Sequence, residues 1–117
     1  MIDINRHTLS NGLRIVHSCN PDTKTVTVNM MYGVGGKNDH QSQTGYAHLL
    51  EHLMFEGSKN APNFDYEIQI AGGENNAYTT LDITNYYETL LYQNVETAFW
   101  LESDRMVNLN LTEESLN

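Results

Sequence analysis

The chain has 117 residues, room for one small domain with one core. Its 15 acidic side chains against 6 basic ones leave a formal charge of -9, which speaks against nucleic acid or an anionic membrane as partner. Cys19 is the one cysteine, so no internal disulfide holds the fold. No apolar run approaches the roughly 18 residues of a membrane span, and the chain reads as soluble and cytoplasmic. Repeats, low-complexity stretches and linkers are absent.

In chain order, residues 7–18 read as a hairpin about Asn11-Gly12, the strongest short turn signal. Asn20-Pro21-Asp22 makes the next turn. Residues 25–32 are β-rich, with Val26, Val28 and Met30 on one face. A polar loop carrying His40 leads to a helix, with Thr44 as expected N-cap and Gly57 as stop. Asn63 caps a second predicted helix over 64–71, whose Phe64, Ile68 and Ala71 share a face before Gly72-Gly73 ends it. Residues 75–80 and 84–91 read as strands, the second followed by a third helix from Asn94 to about 108, with Val95, Phe99 and Met106 on its expected core side. Thr112-Glu113-Glu114 resembles the start of a fourth helix, which suggests a piece cut from a longer protein. Hairpins dominate and βαβ alternation is missing, so the expected class is α+β: a largely antiparallel sheet with helices on one face.

The chemistry concentrates in the first helix. His48 and His52 stand one helical turn apart, and Glu51 and Phe55 fall within about 60° of His48 on the same side. Leu49, Leu50, Leu53 and Met54 take the opposite side. Imidazoles at i and i+4 can close on one zinc ion, and a carboxylate between them can reach a water at that ion. A chance His-x-x-Glu-His on a solvated helix is the bland alternative, though three polar residues confined to one stripe weigh against it. His7, His17 and His40 are scattered and read as surface or packing residues.

The stretch Gly45-Tyr46-Ala47-His48-Leu49-Leu50-Glu51-His52-Leu53-Met54-Phe55-Glu56-Gly57-Ser58 closely resembles the signature of the insulinase, or pitrilysin-type, inverzincin zinc metallopeptidases. That family includes the mitochondrial processing peptidase. The resemblance covers nearly the whole chain: Thr8–Leu13 looks like the family's opening strand, and Asn76-Ala77-Tyr78-Thr79 like its Asn-Ala-x-Thr strand. Thr84-Asn85-Tyr86-Tyr87 and Glu102-Ser103-Asp104-Arg105-Met106 match later segments.

The resemblance implies that His48 and His52 are zinc ligands and that Glu51 is the general base acting on zinc-activated water. It implies that Phe55 lines the pocket for the residue after the scissile bond, against core packing as the plain alternative. Asn76, Ala77 and Tyr78 would be the strand edge on which an extended substrate is laid, against an interior strand as alternative. In the family the third ligand is a glutamate roughly 75 residues after the second histidine, beyond Asn117; Glu113 and Glu114 come too early. Residues 1–117 are therefore expected to be the N-terminal part of such a domain, truncated before the third ligand. The family also needs a second half or partner subunit, in a homo- or hetero-dimer, to close over a peptide substrate. The fragment alone is expected to hold Zn2+ weakly and to be inactive. The competing reading is a non-catalytic scaffold subunit of the same fold, and the intact His48, Glu51 and His52 argue against it. A structural zinc site would need more cysteine.

Overall fold

The computed structural model describes residues 1–114. Asn11 and Gly12 turn a two-stranded antiparallel hairpin of β1 (Asn5–Thr8) and β2 (Arg14–His17), closed by the Leu9 N–H on the Leu13 carbonyl at 2.9 Å. Asn20 makes its turn by accepting from the Asp22 N–H at 3.1 Å.

Three longer strands form a separate antiparallel sheet: β3 (Thr25–Tyr32), β4 (Glu74–Thr79) and β5 (Thr84–Leu91), in the order β3-β5-β4. The tyrosine-rich β5 is the centre and β4 is an edge. This is the α+β architecture expected from the order of elements.

The period of two sorts the sheet into unlike faces. Val26, Val28 and Met30 alternate inward as expected, beside the buried Tyr86, Glu88 and Leu90. The other face is polar: Thr27 bonds Thr89 at 2.8 Å, and the Asn29 and Asn85 amides exchange two 2.8 Å bonds.

Helices α1 (Tyr46–Leu53), α2 (Phe64–Ile70) and α3 (Val95–Asn108) lie against the apolar face. Asn63 caps α2 as expected, its Oδ1 accepting from the Tyr66 N–H at 3.0 Å. Phe64 and Ile68 then drop into a cluster with Ala61 and Leu101, while Ala71, Leu90 and Ala98 make a second one over Val26 and Val28. Burying Phe64 and Ile68 stabilises the fold by roughly 1.5–3 kcal/mol each.

Thr44 is not the cap of α1: Gly45 occupies the cap position with φ +96, and Asp39 reaches in from the loop instead. Its carboxylate accepts from the Gly45 and Ala47 N–H groups at 2.8 and 3.0 Å. The core face of α3 is not that of Phe99 and Met106, which are 58% and 43% exposed; Ala98, Leu101, Glu102, Asp104 and Arg105 face inward. The physical reason is that the buried side of α3 carries its own ionic and hydrogen-bonding partners, which hydrophobic periodicity does not register. Asn94 stands at the cap of α3, but its side chain donates to the Ala71 carbonyl at the end of α2, 3.0 Å away. Glu113 and Glu114 form a turn, and any helix after them lies outside the described residues. Among the described residues no helix is long and apolar enough to cross a membrane.

Candidate metal centre

Helix α1 packs against β4, the end strand of its sheet, with His48 and His52 exposed and Glu51 buried between them. The i,i+4 spacing brings the two imidazoles together: His48 Nε2 and His52 Nε2 are 2.8 Å apart, with ring centres separated by 4.6 Å. As they stand, one of these nitrogens donates and the other accepts; with the hydrogen gone from between them, each would offer a lone pair to one ion. The donor set therefore fits one face of a zinc site. Among the described residues no group of three His, Cys, Asp or Glu side chains converges to close such a site.

Glu51 behaves differently from its neighbours. Its side chain is 9% exposed against 63% for His48, although the two approach to 4.0 Å at Oε2 and Nδ1. The Thr79 hydroxyl, on β4, donates to the same Oε2. Thr79 escaped the sequence reading as a site residue; the signal was the period of two in Asn76-Ala77-Tyr78-Thr79, which points Ala77 and Thr79 toward the helix and Asn76 and Tyr78 away. Beneath the site lies the buried Tyr86, whose hydroxyl is pushed up first by burial and further by the nearby Glu51 charge.

Among the described residues β4 pairs with β5 alone, so Asn76, Ala77 and Tyr78 lie on an end strand of the sheet. The Thr80 N–H bonds the Ile83 carbonyl at 2.8 Å, and ladder alternation from there turns the backbone of Tyr78 and Asn76 toward β5 and that of Ala77 outward. The Ala77 N–H is met by the Asn76 side-chain oxygen at 2.8 Å, a short local bond that an incoming carbonyl can replace. Asn75 is settled too, donating to Asp65 at 2.9 Å.

Phe55, one residue past the end cap of α1, is half-buried rather than open on the site face. It packs on the Phe64 cluster and meets the Phe64 and Tyr86 rings at 6.0 Å each. Of the expected apolar side of α1, Leu53 and Met54 are buried, whereas Leu49 and Leu50 are exposed.

The geometry has parallels among known proteins. Residues 14–117 match insulinase (Peptidase family M16). The chain is 39% identical over 111 residues to the zinc protease PqqE of Helicobacter pylori, covering 92% of this chain and 25% of that protein. It is 35% identical over 112 residues to a probable mitochondrial-processing peptidase subunit beta of Arabidopsis thaliana, covering 94% of this chain and 21% of the relative. The crystal structure of a protease from Helicobacter pylori superposes with a TM-score of 0.90 at 35% identity, over 98% of this chain and 28% of that one. Pitrilysin shares the fold at a TM-score of 0.87 and 23% identity, over 97% of this chain and 12% of its own. The chain thus spans about a quarter of the length of the first two relatives.

Proposed function

The chain belongs to the insulinase family of peptidases, and on that premise we propose that it forms the histidine-bearing N-terminal part of a zinc endopeptidase. The observation that carries this reading is the meeting of three features: converging His48 and His52 nitrogens, a walled-in Glu51 carboxylate, and an unpaired strand edge beside them.

His48 and His52 would hold the zinc ion, whose chemistry is to polarise a peptide carbonyl and make water a nucleophile near neutral pH. The likeness to the zinc protease PqqE of Helicobacter pylori supports that choice of metal. Glu51 takes the proton of the attacking water and returns it to the leaving amine, with Thr79 fixing its carboxylate. An extended polypeptide pairs with the outward backbone of Ala77, flanked by Asn76 and Tyr78, so main-chain hydrogen bonds give affinity without regard to sequence. Phe55 contributes the apolar wall for the residue after the scissile bond. We place the remaining ligand, and the half or partner subunit that closes over the substrate, in the greater length that the relatives possess.

The test is cleavage of a mixed peptide pool by the full-length protein, alone, with chelator, and as Glu51→Gln. Cleavage that disappears in both controls while Glu51→Gln still binds zinc is the expected result. Undiminished cleavage by Glu51→Gln overturns the assignment.

A further inference from the structure

Arg105, on α3, is the largest fully buried side chain, at 1% exposure. Glu102, on the same helix, grips it as a fork, Oε2 to Nε at 3.1 Å and Oε1 to Nη2 at 2.5 Å. Glu88, on β5, stands 3.5 Å from Nη2. An ion cluster this dry adds little net stability, because the desolvation of its charges offsets their attraction. Burial and the neighbouring Glu102 push the Glu88 carboxyl up to about 9.

What the cluster holds is a set of rings. The guanidinium carbon lies 4.2 Å from the centre of Phe64, 4.4 Å from Tyr86 and 5.4 Å from Phe55. Its Nη1 donates to the Met54 carbonyl at 3.4 Å. Met54 is the end cap of α1, two residues past His52, and Phe55 follows it. Arg105 thus touches Met54 and Phe55, the two residues that follow the helix carrying His48 and His52. A flat guanidinium can stack on rings and still donate to a carboxylate and a carbonyl; a lysine ammonium can supply the charge but not the fork.

We propose that Arg105 is a specificity-determining positioning residue: by holding the Met54 carbonyl and the Phe55 ring, it sets the pocket floor and so the preference for the substrate side chain after the scissile bond. The inference rests on the peptidase reading above. Arg105 touches no substrate and acts through Phe55.

The test compares kcat/KM of the full-length protein on two peptides that differ only in the residue after the scissile bond, phenylalanine or alanine. Arg105→Lys and Phe55→Ala are each expected to lower the phenylalanine-to-alanine ratio about tenfold, the scale of a reshaped apolar pocket. Zinc content stays unchanged in both. The double variant shows no further loss, because both changes act through one ring. Glu102→Gln, near-isosteric and still able to accept a hydrogen bond, is the second variant and moves the ratio the same way if Arg105→Lys fails to fold. A folded Arg105→Lys or Glu102→Gln with the wild-type ratio overturns the proposal, as do additive effects in the double variant. Wild-type protein that cleaves neither this pair nor the mixed pool removes the peptidase reading itself, and this inference with it.

Discussion

Thr79, on the edge strand, donates its hydroxyl hydrogen to Glu51 on the facing helix, and this contact ties the strand edge to the carboxylate beside the histidines. A base must present a fixed oxygen, and a carboxylate has lone pairs to spare for the group that orients it. Thr79→Val keeps the shape and deletes the donor. A hydrogen bond to a charged group contributes about 1.5–3 kcal/mol, so kcat is expected to fall about 10- to 100-fold with zinc content unchanged. Thr79→Ser should recover most of the rate. Peptide kinetics beside metal analysis decide it, and a full-rate Thr79→Val would remove Thr79 from the mechanism.

Stripping the metal is expected to stop cleavage and leave the backbone fold in place. His48 and His52 are exposed and belong to neither core cluster, and α1 is held by other contacts: Asp39 at its start and Arg105 at its end. Far-UV circular dichroism of chelated full-length protein should overlay the untreated spectrum, and returned zinc should restore activity. Loss of helical signal on chelation would show that the histidine pair also organises the fold.

Much of this site was legible because its chemistry is local. The His48–His52 pair follows from 3.6 residues per turn, and the strand of Asn76, Ala77 and Tyr78 from its composition. What escaped is non-local. Asp39 caps α1 across the six residues to Gly45, whereas a capping rule looks to the residue immediately before the helix. The inward face of α3 was invisible for a related reason: Asp104 is buried because Ser58, Asn60 and Asn108 all donate to it, holding its carboxyl well below the usual range, and no periodicity announces such partners. Arg105 was hidden likewise, since its burial depends on Glu102, Glu88 and three rings.

Asp39→Ala tests the remote cap. The substitution frees the Gly45 and Ala47 N–H groups at the positive end of the helix, beside His48. A loss of about 1 kcal/mol of stability is expected, together with weaker zinc binding as the first turn frays. Thermal melts and a zinc titration read the two effects separately. Asp39→Asn, still an acceptor, should lie between wild type and Asp39→Ala; an Asp39→Ala protein with unchanged melting and zinc affinity would show the contact to be idle.

Ala77→Pro asks whether the outward backbone of β4 holds substrate. Proline removes the Ala77 N–H, which faces the free edge, and spares the ladder to β5. The expected result is a rise in KM of about tenfold or more, the scale of one lost hydrogen bond, with zinc content and folded signal retained. An unchanged KM would place the substrate backbone elsewhere.

Glu88 offers a test of the buried cluster by pH. Its carboxyl has the usual value of about 4.5 in an unfolded chain and is pushed up to about 9 in the fold, first by burial. Between those values the folded state binds more protons, so this group's contribution is complete below the unfolded pKa and is lost as pH rises through the folded one. The slope is at most about 1.4 kcal/mol per pH unit. Glu88→Gln is neutral throughout, and its amide can donate to Glu102 as the protonated acid does. Wild type and variant are therefore expected to melt alike near the unfolded pKa, with Glu88→Gln progressively the more stable as pH climbs. Thermal scans across that window check the sign. A variant that is instead the weaker protein at neutral pH would mean that Glu88 is ionised there, and that Arg105 balances two carboxylates, with a hold on Met54 and Phe55 that draws on both.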